Sequence, residues 1–450
     1  MKGFPRVMEY DTAVELSRNL EYILPHERLA VLSKKEVSES YSTADAKSEK
    51  ASRLTYNKQD RKLNLFLLDP VTQEPAAGLV ISLLREPEPN DLKFCKDYLR
   101  VFNSDLATAP DVPSSNELWI ALQQTRFARA IGRFSPFPTE KFMHWLRVVE
   151  NAGSLRYEGH PFSACILMTK QMKWVENSES LRLLKFPDPL RFRLAILQEK
   201  WIRAMLRDPE VGLVGLSSAG SIVGTVTFEE ALGQGMAFAP HEEMMPISLA
   251  TIPGTMAFVS STHGDLYVLF PNGATFIKTQ GRWRYFNYSS LNDLVAQLLP
   301  KEVVPGLIRI VLDLSFERRG GLISILNDAN ALKKLVPDHE TKGRVNQPLR
   351  SFAAGLEISD KAHRRVIRSA AAIDGAIVLS QDGKVLDIAC MIGEPSAEDC
   401  LAAGKSGLQR FAGARTTAAW NASIYGVAIK ISEDGPVTVF KNGDVIFQFG

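Results

Sequence analysis

The sequence predicts a mixed α/β (α+β) fold in which sheets carry packed helices and one sheet-and-helix unit occurs twice. Three observations predict it. Apolar runs of strand length alternate with segments of helical period, Gly, Pro, Asn and Asp bound these runs, and three stretches of the middle third reappear in the same order in the last third. A chain of 450 residues exceeds what one core serves. It is therefore divided into an N-terminal α+β domain over 1–130, a first repeat over 131–295 and a second over 296–450.

The first domain opens with a helical pattern over 11–33. A polar segment follows, Val37 to Arg53, rich in Ser, Lys, Glu and Ala, and it reads as a mobile loop because it has little to bury. Two strand-like runs come next, Leu63 to Leu68 and Gly78 to Leu84, joined by the turn-forming Asp69-Pro70 and Gln73-Glu74-Pro75.

Beyond these, the chain matches itself. Ser154-Leu155-Arg156-Tyr157-Glu158-Gly159 echoes Ser315-Phe316-Glu317-Arg318-Arg319-Gly320, an offset of 161. Val211 to Val223 matches Asp374 to Leu386 without a gap at an offset of 163, and Ser261-Thr262-His263-Gly264 with Asn272-Gly273 matches Ser432-Glu433-Asp434-Gly435 with Asn442-Gly443 at 171. Hairpins share Gly and Asn-Gly by default, so the common order carries the duplication. In the second repeat Leu307 to Leu314 and Ser359 to Ala372 read as helices. Gly321 to Leu326, Gly375 to Leu379 and Val385 to Cys390 read as strands, the last two flanking a Gln381-Asp382-Gly383 turn.

Composition narrows the function classes. Lys and Arg number 53 against 51 Asp and Glu, so the net charge of +2 gives nucleic acid or an anionic membrane no electrostatic claim on the protein. Cys95, Cys165, Cys390 and Cys400 are too far apart for a C-x-x-C pair and read as buried thiols in a reducing compartment. The start of the chain lacks a secretory apolar core, and no apolar run reaches the ~20 residues that span a bilayer. A cytoplasmic location with no membrane partner is expected.

The chemistry concentrates in the second repeat. Asp374-Gly375-Ala376 opens a strand after a helix, and Gly413-Ala414-Arg415-Thr416-Thr417-Ala418-Ala419 precedes a final strand and a hairpin ending Thr438 to Phe447. This ordered pair resembles the diadenylate cyclase domain of DNA-integrity scanning proteins and membrane-bound cyclic di-AMP synthases, over roughly 300–450. Those enzymes carry Asp-Gly-Ala and then Gly-Thr/Ala-Arg-His-Arg-Thr/Ala-Ala. The resemblance implies that Asp374 helps activate a ribose 3′-hydroxyl with a divalent ion and that Arg415 holds phosphate. It implies a nucleotide pocket formed by Asp374, Gly375, Ala376, Ile392, Arg415, Thr416, Thr417, Ala418 and Ser432.

Thr416 and Thr417 stand where the family has His and a second Arg, and a hydroxyl cannot imitate a bidentate guanidinium. Val211-Gly212-Leu213 stands at the Asp-Gly-Ala position of the first repeat, so a pair of repeats would hold at most half of a reaction centre. The chain is thus similar to cyclase-derived domains proposed as nucleotide sensors in bacterial conflict systems. The expectation is a catalytically degenerate protein that binds a nucleotide or cyclic dinucleotide in a bacterial signalling or defence system, with a protein partner there. Two alternatives stay open. An active cyclase would convert ATP to cyclic di-AMP with Mg or Mn held by Asp374, its catalytic residue; a scaffold would bind no nucleotide and need no cofactor.

Other signals point to structure. His263 falls in a hairpin tip, and no His-Glu-x-x-His, Gly-x-x-x-x-Gly-Lys-Ser/Thr or Gly-x-Ser-x-Gly string occurs. Arg282 to Tyr288 has the composition of a base-stacking strip but reads as a strand whose alternate aromatics pack inward between the repeats. Lys361, Arg364, Arg365 and Arg368 share one helix face, read as solvated.

Overall fold

The structure, a computed structural model, describes residues 14, 16–17, 20, 24, 26–43, 54–68, 74–83, 85–108, 116–153, 156–157, 160–161, 163–178, 181–208, 210–228, 239–244, 247, 251–261, 263–271, 273–341, 346–371 and 373–449. The chain forms two compact units. One comprises Met1–Ala237 with Glu243–Asn287, the other Phe238–Glu242 with Tyr288–Gly450.

Unit 1 contains a four-stranded antiparallel sheet of β1 (His26–Leu32), β2 (Leu54–Asn57), β3 (Lys62–Leu68) and β4 (Pro75–Leu83), in the order β1-β4-β3-β2. The helix expected over 11–33 does not persist through its second half. Leu29, Ala30 and Val31 pair with Ile81, Val80 and Leu79 across the sheet, and cross-strand burial overrides the local helical pattern. The expected loop from Val37 begins instead as helix α1 (Lys34–Thr43). Ser33 and Glu36 form a capping box there: the Glu36 carboxylate accepts the Ser33 N–H at 2.8 Å, and the Ser33 hydroxyl accepts the Glu36 N–H at 3.4 Å. Val37 is buried against Gly78. The remainder of that segment, 44–53, lies outside the described residues, as do most of 154–159 in the first self-match.

Three helices, α2 (Pro89–Thr108), α3 (Asn116–Phe134) and α4 (Thr139–Ala152), share a core with a larger sheet. After the short pair β5 (Arg156–Tyr157) and β6 (His160–Pro161) that sheet comprises β7 (Ala164–Thr169), β8 (Leu181–Arg191), β9 (Val211–Leu216), β10 (Ser221–Phe228), β11 (Thr255–Ser260), β12 (Leu266–Leu269), β13 (Ala274–Thr279) and β14 (Arg282–Asn287). Their order is β14-β13-β12-β11-β7-β9-β10-β8. Phe94 of α2 stacks on Tyr285 at 5.4 Å and meets Phe276 at 4.6 Å, and Phe127 of α3 lies parallel to Trp283. The aromatics of β14 therefore pack inside unit 1, on its own helices, rather than between repeats. One continuous core runs from Leu16 to Tyr285, and the expected line at 130 passes through α3.

Unit 2 is built on β15 (Gly321–Leu326), β16 (Ala376–Leu379), β17 (Val385–Cys390), β18 (Gly426–Ile431), β19 (Val437–Lys441) and β20 (Asp444–Phe449), in the order β17-β16-β15-β18-β19-β20. Its longer helices are α5 (Tyr288–Leu298), α6 (Val304–Phe316), α7 (Gln347–Ala353), α8 (Lys361–Ala371), α9 (Ala397–Ala402) and α10 (Ala414–Ser423). Even-numbered residues of β15, Leu322 and Leu326, join Ala376, Val378, Ala428 and Phe440 in a core capped by Trp420 of α10 and Cys400 of α9. Gly321, one step along, faces Leu314 of α6 instead, the alternation a strand imposes.

The basic face of α8 is engaged rather than simply solvated. Arg368 pairs with Asp313 of α6 at 3.0 Å, and Arg364 donates to the Ser359 carbonyl at 2.8 Å. Asp313, 2% exposed, also accepts from Arg309 and from the Glu242 N–H, each at 2.9 Å. A carboxylate so deeply buried requires this saturation by donors.

Six strands of each sheet share one order and one set of directions. β10-β9-β7-β11-β12-β13 corresponds to β17-β16-β15-β18-β19-β20, with a single parallel pair, β9/β7 and β16/β15, at the same place in each. The turns agree in detail. Gly264 donates to the Ser261 carbonyl and Gly435 to that of Ser432, both at 3.0 Å and both with positive φ. Unit 1 adds β14 and β8 at the edges.

Candidate functional site

The residues singled out from sequence gather at one end of the second sheet. Because β15 and β16 run parallel and β18 antiparallel to them, the starts of β15 and β16 share an end with the finish of β18. Asp374 precedes the start of β16, Ser432 follows β18, and Gly320 precedes β15. α10 brings its N-terminus to the same end, with the Arg415 guanidinium lying where a Cβ on Gly320 would be.

Asp374 is exposed, and its position is set by Gly375. Gly375 has φ +118°, and a Cβ there would lie 2.6 Å from the Ala389 carbonyl carbon, so only glycine fits. Opposite it Ala389 also has positive φ, at 51°. Arg350 holds that bulge from behind: its buried guanidinium donates to the carbonyls of Ile388 at 3.0 Å and Ala389 at 3.3 Å, and to Asp338 at 3.2 Å. Asp387, beside it, bonds His339 Nδ1 at 2.8 Å. Ala376 is buried in the core, its carbonyl accepting from the Cys390 thiol at 3.2 Å. Burial raises that thiol to about 12, and the four cysteines are free and buried.

Ile392 is half-buried at the end of β17, fixed by the Gly393 N–H donating to the Leu335 carbonyl at 2.8 Å. Ser432 supplies both ends of its turn through the backbone, donating to Pro436 and accepting from Gly435. Gly413 is the N-cap of α10, and no side chain caps that first turn, which leaves the Ala414 and Arg415 amides, ahead of the first intrahelical bonds, available to an anion. The Thr416 and Thr417 N–H groups both turn back to the Gly413 carbonyl at 3.1 Å. The Thr417 hydroxyl accepts the Phe411 N–H at 3.0 Å, so it closes the preceding loop. Ala418 packs against the core under the helix.

Arg415 is one-third exposed and faces Glu433, with Nη1 and Nη2 at 3.3 and 3.4 Å from one carboxylate oxygen. Lys430, which no sequence motif marks, stands close by. It lies opposite Leu322 and Thr438 in the sheet, hence on the α10 face, and is half-buried with no hydrogen bond or ion pair among the described residues. Burial first, and Arg415 second, lower its pKa. The available signal was a single charge inside an otherwise apolar strand, Gly-Val-Ala-Ile-Lys-Ile.

Asp374 presents one carboxylate, and among the described residues no three His, Cys, Asp or Glu side chains converge as a metal-holding group. The arrangement does not make a metal centre from its own donors. It does place two cations, Arg415 and the half-buried Lys430, at one end of the sheet, beside Gly320. No protein-family model matches the chain, and no curated protein matches it.

Proposed function

We propose that unit 2 is a diadenylate-cyclase-like domain that binds a nucleotide or cyclic dinucleotide as a sensor, without turning it over, in a bacterial signalling or defence system. The observation that carries this reading is the convergence of Asp374-Gly375-Ala376 and the uncapped, arginine-bearing start of α10 on one end of one mixed sheet. A cationic helix start beside a glycine floor suits a phosphoryl group, and Ile392 offers an apolar edge for a base. Diversion of the Thr417 hydroxyl to Phe411 favours binding over catalysis, since stabilising a transferring phosphoryl group needs preorganised donors aimed at it. Unit 1, with its shared strand order and Val211 in place of Asp374, is on this reading a divergent copy.

Calorimetric titration of the full chain with ATP and with cyclic dinucleotides, with product analysis of the ATP samples, tests it. Saturable binding without product is expected, weakened about tenfold or more by Arg415→Ala. Cyclic di-AMP formation would replace the sensor with an enzyme, and absence of binding to every nucleotide would leave an interaction scaffold.

A further inference from the structure

We propose that Lys430 and Arg415 together form a receptor for one phosphoryl group, and that Glu433 occupies the guanidinium until the ligand arrives. The inference rests on the nucleotide reading for the identity of the ligand and on geometry alone for the anion.

Leu322 faces Lys430 across β15 and β18, so the two side chains share a face. Gly320 is two residues before Leu322 and therefore on the same face, and the Arg415 guanidinium fills the space a Cβ of Gly320 would need. That puts the guanidinium one diagonal step from Lys430, a separation of about 7–8 Å between side-chain positions. A phosphoryl group spans such a gap between two cations.

The electrostatics favour an anion there. Burial and the neighbouring guanidinium of like charge both disfavour the charged ammonium, and a neighbouring anion offsets both. Glu433 answers only part of this, since it is 74% exposed and reaches Arg415 through two long contacts to one oxygen. The carboxylate nevertheless shows that an oxyanion fits against Arg415. By contrast β11, which holds the place of β18 in unit 1, is buried throughout and carries no charge. The lysine is peculiar to the second sheet.

The test uses inorganic pyrophosphate and, separately, ATP, titrated into the full chain by calorimetry. Lys430→Met is expected to weaken pyrophosphate binding about tenfold or more, Lys430→Arg to retain it, and Glu433→Gln to tighten it about two- to fivefold. Unchanged affinity in Lys430→Met, with its melting temperature preserved, overturns the receptor. So does failure of both the natural protein and Glu433→Gln, an exposed and structurally mild change, to bind pyrophosphate. ATP binding that ignores Lys430 leaves the nucleotide reading standing and sinks the receptor. Pyrophosphate binding that depends on Lys430, with no affinity for nucleotides, supports the receptor and sinks the nucleotide reading instead.

Discussion

At the residue scale, glycine and carboxylate positions decide what the site can be. Gly375→Ala forces a Cβ onto the Ala389 backbone at a φ of +118°. The expected cost is about 2 kcal/mol or more, read by chemical denaturation, together with misplacement of Asp374. Asp399 illustrates a charge tied to stability. Lys334 first, then Ser396 and Tyr425, hydrogen-bond its carboxylate and hold it at about 2, against an ordinary value of 3.8. Because the folded value is the lower, this stabilisation is present above about pH 4 and is lost as pH falls through 3.8 toward 2. Asp399→Asn is expected to lower stability by about 1–2 kcal/mol near neutral pH and to flatten that acid limb in a pH series of denaturation curves.

At the element scale, helices are held by a few buried polar contacts that sequence patterns only partly announce. α6 and α8 are joined through Asp313, which Arg309, Arg368 and the Glu242 backbone all address. Asp313→Ala removes the shared counter-charge of the half-buried Arg309 and Arg368, and a loss of about 2–3 kcal/mol is expected in the unfolding free energy of unit 2. The spacing of Arg364 and Arg368 was legible as one helix face. Its engagement was not, because Asp313 lies 55 residues from Arg368 in the chain. The same holds for β1. Its residues fit a helical period locally, and only β4 makes them a strand.

At the scale of the whole molecule, two cores of separate composition predict two unfolding transitions in calorimetry. Phe94→Ala, in the aromatic core of unit 1, should lower one of them, and Trp420→Ala, over the second sheet, the other. Each substitution empties a fully buried aromatic site at a cost of about 3–5 kcal/mol. A single transition, shifted equally by both, would mean that the two units unfold as one.

Legible in the amino-acid sequence are the mixed α/β class, most strand and turn positions of unit 2, the buried thiols and the two motifs of the candidate site. These are local properties: period-two burial, glycine where φ is positive, and short strings whose chemistry is read in place. Which strands are neighbours, and that six of them repeat one order, follow from the folded chain alone. The folded structure alone joins the described residues before 130 to the first sheet through one core, and it alone brings Lys430, Arg415, Gly320 and Glu433 to one end of the second sheet. Register across a sheet and charge across a helix interface are set by burial between distant segments, and no window of sequence contains both partners.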